Sequence, residues 1–199
     1  MSLWRELTNL ASSRQLTPSD LRELAVFGGA QGIWVDKNRT SDLAEDGVTV
    51  SVLHTGSSYD DNLTDDNILY HYPKTRRPPS RDLSEINATK NAHQLGLPLF
   101  VITYPAPSSK YRNVHLAWVE DWDDQAEVFL ITFGESPPAP KIPIDEQTPF
   151  ELTSSSPTRR REQKARSGQT RFHFRVFQRY GPSRAVCAIS VPETQTPPT

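Results

Sequence analysis

An α+β domain, with a small curved or barrel-like β-sheet and flanking helices, is the fold class that the sequence predicts. Three observations lead to this prediction. Several short segments alternate apolar and polar residues with period two, a single long segment has helical spacing, and turn-forming residues separate these segments. Many short strands combined with few helices are typical of small sheets that curl toward a barrel.

The individual elements follow from the same patterns. Short strands are predicted at 32–35, 48–53, 68–72, 99–103, 114–119 and 128–133, and short helices at 2–12 and 18–27. The second short helix has Pro18 in its first turn and should end at Gly28. The long helix is predicted over 81–95, because Leu83, Ile86 and other apolar residues recur at helical spacing before Gly96.

Four segments make up the predicted domain organisation. Residues 1–27 form an N-terminal helical segment and residues 28–135 form the sheet domain. Residues 136–169 are rich in proline and serine and then basic, which is typical of a linker. Residues 170–199 continue the basic C-terminal tail. Phe172, Val176 and Tyr180 resume an amphipathic pattern there, so a second folded unit is expected to begin.

The charge of the chain is unevenly distributed. The net charge is −2, but residues 1–156 carry 13 Lys and Arg against 22 Asp and Glu. Residues 157–184 carry nine Lys and Arg against Glu162 alone. A basic segment attached to an acidic domain indicates a polyanionic partner. A solvated linker that binds nothing is the alternative.

The expected compartment follows from cysteine usage and from the apolar pattern. Cys187 is the sole cysteine, so an internal disulfide is excluded. No run of about 18 apolar residues could span a membrane, and the N-terminus lacks the pattern of a signal peptide. We therefore expect a cytoplasmic protein without membrane contact.

The densest cluster of chemically distinctive residues lies between the strands predicted at 48–53 and 68–72. It reads His54-Thr55-Gly56-Ser57-Ser58-Tyr59-Asp60-Asp61-Asn62-Leu63-Thr64-Asp65-Asp66. The acid spacing does not fit a calcium loop, and Asp65 and Asp66 are expected to form a solvated turn. A pocket for a flipped cytosine needs aromatic rings, on which the faces of the base stack, and a carboxylate, which accepts from its exocyclic amine. Tyr59, Tyr70 and Asp61 are side chains of these types.

The order of these residues resembles the SRA (SET and RING associated) domain, and in particular its bacterial branch in modification-dependent restriction enzymes. The resemblance covers about residues 28–105. It rests on Gly32-Ile33, the strand at 48–53, the run from Gly56 to Asp61, Tyr70, and Asn87-Ala88 followed by 97–103. It implies an SRA/PUA-like fold that flips modified cytosine out of duplex DNA. The implied pocket consists of Tyr59, Asp61, Tyr70, Ser58 and His71, where Ser58 and His71 replace residues typical of the family.

A second resemblance concerns the tail. The tail resembles the opening of an HNH nuclease domain in three stretches, Arg171 to Val176, Arg179 to Pro182 and Ala185 to Ile189. The first position of that family's cysteine pair is Arg184 here, so Cys187 alone cannot make a four-ligand zinc site. The His-Asn-His residues of such a nuclease do not follow before Thr199. We therefore expect a truncated HNH start, with no catalytic residue, no metal and no cofactor.

Two basic clusters are candidates for contacts to a DNA backbone or groove. Lys37, Arg39 and Thr40 follow a predicted strand, and Arg76, Arg77 and Arg81 follow the proposed pocket. Solvated surface is the alternative for both clusters. The acidic run at 120–124 beside Trp118 and Trp122 is expected to form a β-edge and a turn. The histidines are not spaced as metal ligands.

Together these observations predict a protein that binds double-stranded DNA containing 5-methylcytosine or 5-hydroxymethylcytosine, as the specificity part of a modification-dependent restriction system. The sequence leaves open whether the protein partner is a second copy of the chain or a nuclease. The alternative is a protein-interaction or RNA-binding β-barrel module in which Tyr59 and Tyr70 are core residues. An active HNH endonuclease would need a C-terminal half supplied from elsewhere.

Overall fold

The computed structural model describes residues 2–13, 15–27, 32–56, 62–106, 109–138 and 169–180. Within these ranges the helices are α1 (Ser2–Ser13), α2 (Pro18–Glu23), α3 (Lys37–Thr40), α4 (Pro79–Gln94) and α5 (Gln169–Tyr180). The strands are β1 (Ile33–Val35), β2 (Thr49–His54), β3 (Asn62–Leu63), β4 (Asn67–His71), β5 (Leu99–Thr103), β6 (Asn113–Asp123) and β7 (Val128–Phe133). The predicted α+β class is confirmed.

The described strands form one sheet in the order β1-β2-β5-β6-β7-β4-β3. Strands β2 and β5 run parallel, and the other neighbours are antiparallel. The parallel pair arises because α4 carries the chain from β4 across the sheet to β5, which is the kind of crossover that parallel strands need. The sheet is curled into a half-barrel, as the sequence predicted.

The two faces of the sheet are covered differently. Alternate residues such as Val52, Tyr70, Val101 and Ile131 point to the concave inner face and form the main core, to which α4 adds Ala92. On the outer face, α1 and α2 pack on β2, β5 and β6 around residues such as Leu21, Phe100 and Ile102. Helix α5 covers another part of the outer face. None of the described helices has the length and apolarity needed to cross a membrane.

Several element boundaries differ from the sequence prediction. Helix α2 begins as predicted, with a capping box between Thr17 and Asp20, but it ends at Glu23 because Ala25 adopts a positive φ of 51°. Residues 37–40, predicted as a loop, form the short helix α3. Gly96, with a φ of 60°, ends α4 as predicted.

The prediction of a β-edge and turn at 120–124 holds only for Asp124, where the turn begins. Strand β6 continues to Asp123 and lies in the middle of the sheet, between β5 and β7. Beyond an irregularity between Val119 and Asp121, the pairs Asp121–Leu130 and Trp122–Phe129 extend the ladder. The acidic residues are tolerated there because Glu120, which is 8 % exposed, has cationic and hydroxyl partners.

Those partners belong largely to α5, which docks onto the outer face. Arg171 Nε donates to Glu120 Oε2 at 2.8 Å, and the Arg175 guanidinium lies 3.6 Å from Oε1. Phe174 is buried against Val128 and Leu130. The boundary near 169–170 stays a prediction, but the first helix beyond it contacts the sheet directly.

Candidate functional site

The curl of the sheet brings Tyr70 of β4 against β2, although three strands separate them in the sheet order. The Tyr70 hydroxyl donates to the Leu53 carbonyl oxygen at 3.3 Å. The Leu53 N–H in turn donates to the Gly32 carbonyl oxygen at 2.6 Å. Gly32, Leu53 and Tyr70, all named in the predicted motif, therefore meet at one point of the inner face.

Position 32 has no room for a side chain, so glycine is required there. A Cβ atom built on Gly32 would lie 2.7 Å from the Tyr70 hydroxyl oxygen, a separation that real Cβ contacts essentially never show. Since the tyrosine ring is held in the core, its hydroxyl cannot easily move aside. The Gly32-Ile33 part of the motif thus corresponds to a close approach of the chain to Tyr70.

The predicted pocket residues Ser58, Tyr59 and Asp61 lie outside the described residues. The loop that contains them, residues 57–61, is called the pocket loop below. Its two flanks are described: Gly56 follows β2, and Asn62 pairs with Leu69, the residue before Tyr70. The pocket loop therefore connects the end of β2 to Asn62, the residue that pairs with Leu69 of β4.

Tyr70 itself is a buried residue. Its side chain is 4 % exposed and belongs to the main core with Ile68, Phe129 and Ile131. This burial is compatible with a ring that forms the floor of a pocket and also with a purely structural role. In the first interpretation a bound base stacks on the ring, and in the second only protein atoms contact it.

His71 lies on the other face of the sheet from Tyr70. Side chains alternate along a strand, and Ile68 and Tyr70 belong to the inner core whereas Leu69 packs with Phe174 on the outer face. His71 shares the outer face with Leu69 and is half-buried at the end of β4. It is therefore not kept in the proposed pocket.

The two predicted basic clusters come together on one surface, formed by α3 and the first half of α4. Lys37 Nζ donates to Ser84 Oγ at 3.0 Å, and the exposed Arg81 lies one turn before Ser84 on the same helix. Arg39 is also exposed, with its guanidinium 3.5 Å from Asp36. We call Lys37, Arg39, Arg76 and Arg81 the α3–α4 basic surface.

Thr40 and Arg77, both predicted to contact DNA, form hydrogen bonds inside the protein. The Thr40 hydroxyl donates to the Asp36 carbonyl and accepts from the Val48 N–H. Arg77 donates to both oxygens of Glu85, to Asp82 and to Thr75, with all four distances between 2.7 and 2.8 Å. These bonds occupy the guanidinium donors of Arg77, and 22 % of its side chain is exposed. Arg77 therefore has few donors available for a phosphate.

Hydrogen bonds and neighbouring charges favour the ionised forms of Arg77 and Asp82. The hydrogen bond to Glu85 is the main cause that raises the pKa of Arg77 above its ordinary value. Burial opposes ionisation of Asp82, but hydrogen bonds from Thr75 and Arg77 outweigh it and lower the pKa of that carboxyl. Arg77 therefore holds the turn before α4 in place, and Arg76 beside it remains exposed.

The α3–α4 basic surface and the pocket loop lie at different ends of β2. Helix α3 follows Val35, which pairs with Thr49 at the start of β2, whereas the pocket loop follows His54 at its end. Six strand residues separate these ends by about 17 Å. The sequence alone gave no indication of this separation.

The part of the chain that the structure describes contains no candidate metal centre. No group of three or more His, Cys, Asp or Glu side chains could hold a metal ion there. A cleft of about 370 Å³ between the end of α4 and β6 is lined by His93, Trp118 and Glu120, among others. The Glu120 carboxylate is already engaged by Thr132 and Arg171.

These observations define an α+β protein whose half-barrel sheet encloses Tyr70 beside the end of the pocket loop. No protein-family model matches the chain. No curated protein matches it either.

Two solved structures overlap with part of this chain. One is the modification-dependent TagI restriction endonuclease, with 16 % identity and a TM-score of 0.44 over 60 % of this chain and 47 % of that chain. The other is KRYPTONITE in complex with mCHG DNA and SAH, with 15 % identity and a TM-score of 0.43 over 66 % of this chain and 33 % of that chain. The overlap thus spans half or less of either structure's length, and the function proposed below is argued from this chain's own residues.

Proposed function

We propose that this chain binds duplex DNA containing a modified cytosine and holds that base, flipped out of the helix, at the pocket loop. The observation that carries the proposal is the position of Tyr70. Its hydroxyl bonds to Leu53 near the end of β2, and it follows Leu69, the residue that pairs with Asn62, where the loop bearing Tyr59 and Asp61 ends. Two aromatic rings and one carboxylate on adjacent segments can stack on a cytosine and accept from its exocyclic amine.

The recognition chemistry divides between base and backbone. In this proposal Asp61 accepts from the amine, Tyr59 and Tyr70 stack, and Ser58 contacts the base or its modification. The exposed cations of the α3–α4 basic surface contact phosphates, which add affinity without base information. The basic linker adds to this nonspecific affinity. Arg171 and Arg175, which follow it in α5, do not, because both are paired with Glu120.

The biological setting we propose is the DNA-reading part of a modification-dependent restriction system. The resemblance of the tail to the opening of an HNH nuclease supports this setting. The nuclease activity itself would be supplied by another chain or another segment.

A second candidate function is favoured by the burial of Tyr70. If the ring is entirely a core residue, the half-barrel is an interaction module that binds RNA or another protein without base flipping. Both candidates use the same fold. They differ in whether a base leaves its helix.

Base extrusion can be measured with 2-aminopurine placed directly next to the modified cytosine in the same strand of a synthetic duplex. This analogue is quenched by stacking on its neighbours, so its fluorescence should rise when the chain removes the adjacent cytosine from the stack. We expect the rise with the modified duplex and a much smaller one with the unmodified duplex at equal occupancy. Saturated binding of the modified duplex without any rise would contradict base flipping and favour the second candidate.

A further inference from the structure

The loop between β5 and β6 begins beside the point where the chain leaves β2 toward the pocket loop. Strands β2 and β5 are parallel neighbours, and their last residues, His54 and Thr103, are paired. The carboxyl ends of parallel strands lie at the same edge of a sheet, about 4.8 Å apart. The chain therefore leaves β2 into the pocket loop and leaves β5 into residues 104–112 at the same place.

The described residues of this second loop, 104–106 and 109–112, carry interleaved aromatic and cationic side chains. We call them the basic loop. The Arg112 guanidinium lies 3.7 Å from the centroid of the Tyr104 ring, and Lys110 Nζ lies 5.1 Å from that of Tyr111. Lys110 is exposed, and no ion pair to it occurs among the described residues.

Arg112 holds the basic loop in one shape. Its Nη1 donates to the carbonyl oxygens of Ser109 and Tyr111 at 2.7 and 2.8 Å. Its backbone N–H donates to the Leu16 carbonyl, which ties the loop to the segment before α2. A loop fixed in this way loses little conformational entropy when it binds a ligand.

The stretch of sequence that carries the basic loop is free of acidic residues. Residues 86–119 contain no Asp or Glu, although residues 1–156 carry a net charge of −9. Burial lowers the pKa of the nearby His115, so that side chain is neutral at neutral pH. The positive charge at this edge thus comes from Lys110 and Arg112.

The pocket loop and the residues just after it are acidic, so a positive charge near them would favour the approach of DNA. Asp60, Asp61, Asp65 and Asp66 are carried by the pocket loop and the residues just after it. Carboxylates repel a phosphate backbone, and the α3–α4 basic surface lies at the other end of β2. A cation beside the pocket loop would offset that repulsion where the backbone has to come close.

We infer that the basic loop contacts the phosphate backbone of a nucleic acid duplex whose base enters the pocket loop, with Lys110 making the contact and Arg112 acting as a positioning residue. This inference rests on the proposed function, because it takes a duplex as the ligand. It adds a contact at the edge of the sheet where the sequence predicted none.

The test is a titration of two labelled duplexes, one with a single 5-methylcytosine and one unmodified, by the full chain at several salt concentrations. Lys110→Glu should weaken binding of both duplexes about tenfold and lower the salt slope by about one. Lys110→Arg, which keeps the charge, should bind within about twofold of the wild type. Arg22→Glu makes the same charge change at an exposed position of α2 and should also have little effect.

The outcomes separate this inference from the proposed function. Equal wild-type affinity for the two duplexes would refute base recognition, while a loss at Lys110→Glu on both would still support the basic loop. Wild-type affinity in Lys110→Glu would overturn the inference even if the modified duplex is preferred. An equal loss in Arg22→Glu, or no duplex binding by the wild type, would overturn it as well.

Discussion

Replacing Tyr70 by alanine is expected to destabilise the protein by about 3–5 kcal/mol, because it removes a large ring from a closely packed core. The ring is 4 % exposed and packs in the inner core of the half-barrel. Its hydroxyl also links β4 to β2 through Leu53. Urea or thermal unfolding followed by circular dichroism measures the loss, which corresponds to a fall in Tm of about 10 °C for a chain of this size.

Tyr70→Phe is the matched control for this prediction. It keeps the ring and removes the hydroxyl that bonds to Leu53, so a loss of about 1 kcal/mol is expected. A Tyr70→Ala protein as stable as the wild type would show that the ring is not a core residue. The large loss also means that duplex binding by Tyr70→Ala is not a clean measure of stacking, and Tyr70→Phe should instead keep the base preference.

Asp61→Ala is expected to abolish most of the preference for a modified cytosine. Without the carboxylate, the amine of the flipped base would be desolvated and unpaired, at a cost of about 1–3 kcal/mol, or roughly tenfold to a hundredfold in affinity. Binding to the unmodified duplex should change little, because phosphate contacts supply it. The measurement is the ratio of dissociation constants for modified and unmodified duplexes at matched salt.

Asp65→Ala removes the same charge a few residues further on and serves as the control. Asp65 is exposed in the turn before β4, where the neighbouring Asp66 bonds to Thr64 and Asn67. Its replacement should leave the preference intact. If Asp61→Ala and Asp65→Ala behave alike, with both proteins folded by circular dichroism, the assigned role of Asp61 is wrong.

Much of the fold could be predicted because local patterns determine it. Short apolar or alternating runs located six of the seven described strands, and Gly96 ends α4 as predicted. The end of β6 could not be predicted, since an acidic run normally favours a solvated turn. It forms a strand here because Arg171, distant in sequence, neutralises Glu120 and the Thr132 hydroxyl donates to the same carboxylate.

The site was less accessible to sequence reasoning, because it depends on which strand ends become neighbours. The motif identified Gly32 and Tyr70, and the structure shows why they occur together. The internal bonds of Arg77 could not be foreseen, although Asp82 and Glu85 at helical spacing after it are a weak signal. The basic loop depends on the parallel pairing of β2 with β5. Its one sequence signal, the absence of acids over 86–119, becomes meaningful only with that pairing.

The central claim is that this chain distinguishes a modified cytosine from an unmodified one. Equilibrium titration of three otherwise identical duplexes, with one central cytosine, 5-methylcytosine or 5-hydroxymethylcytosine, tests it most directly when salt is held constant. We predict that at least one modified duplex binds about tenfold or more tightly than the unmodified duplex, in line with the loss expected for Asp61→Ala. Equal affinity for all three duplexes would contradict base recognition and leave at most a nonspecific electrostatic binder.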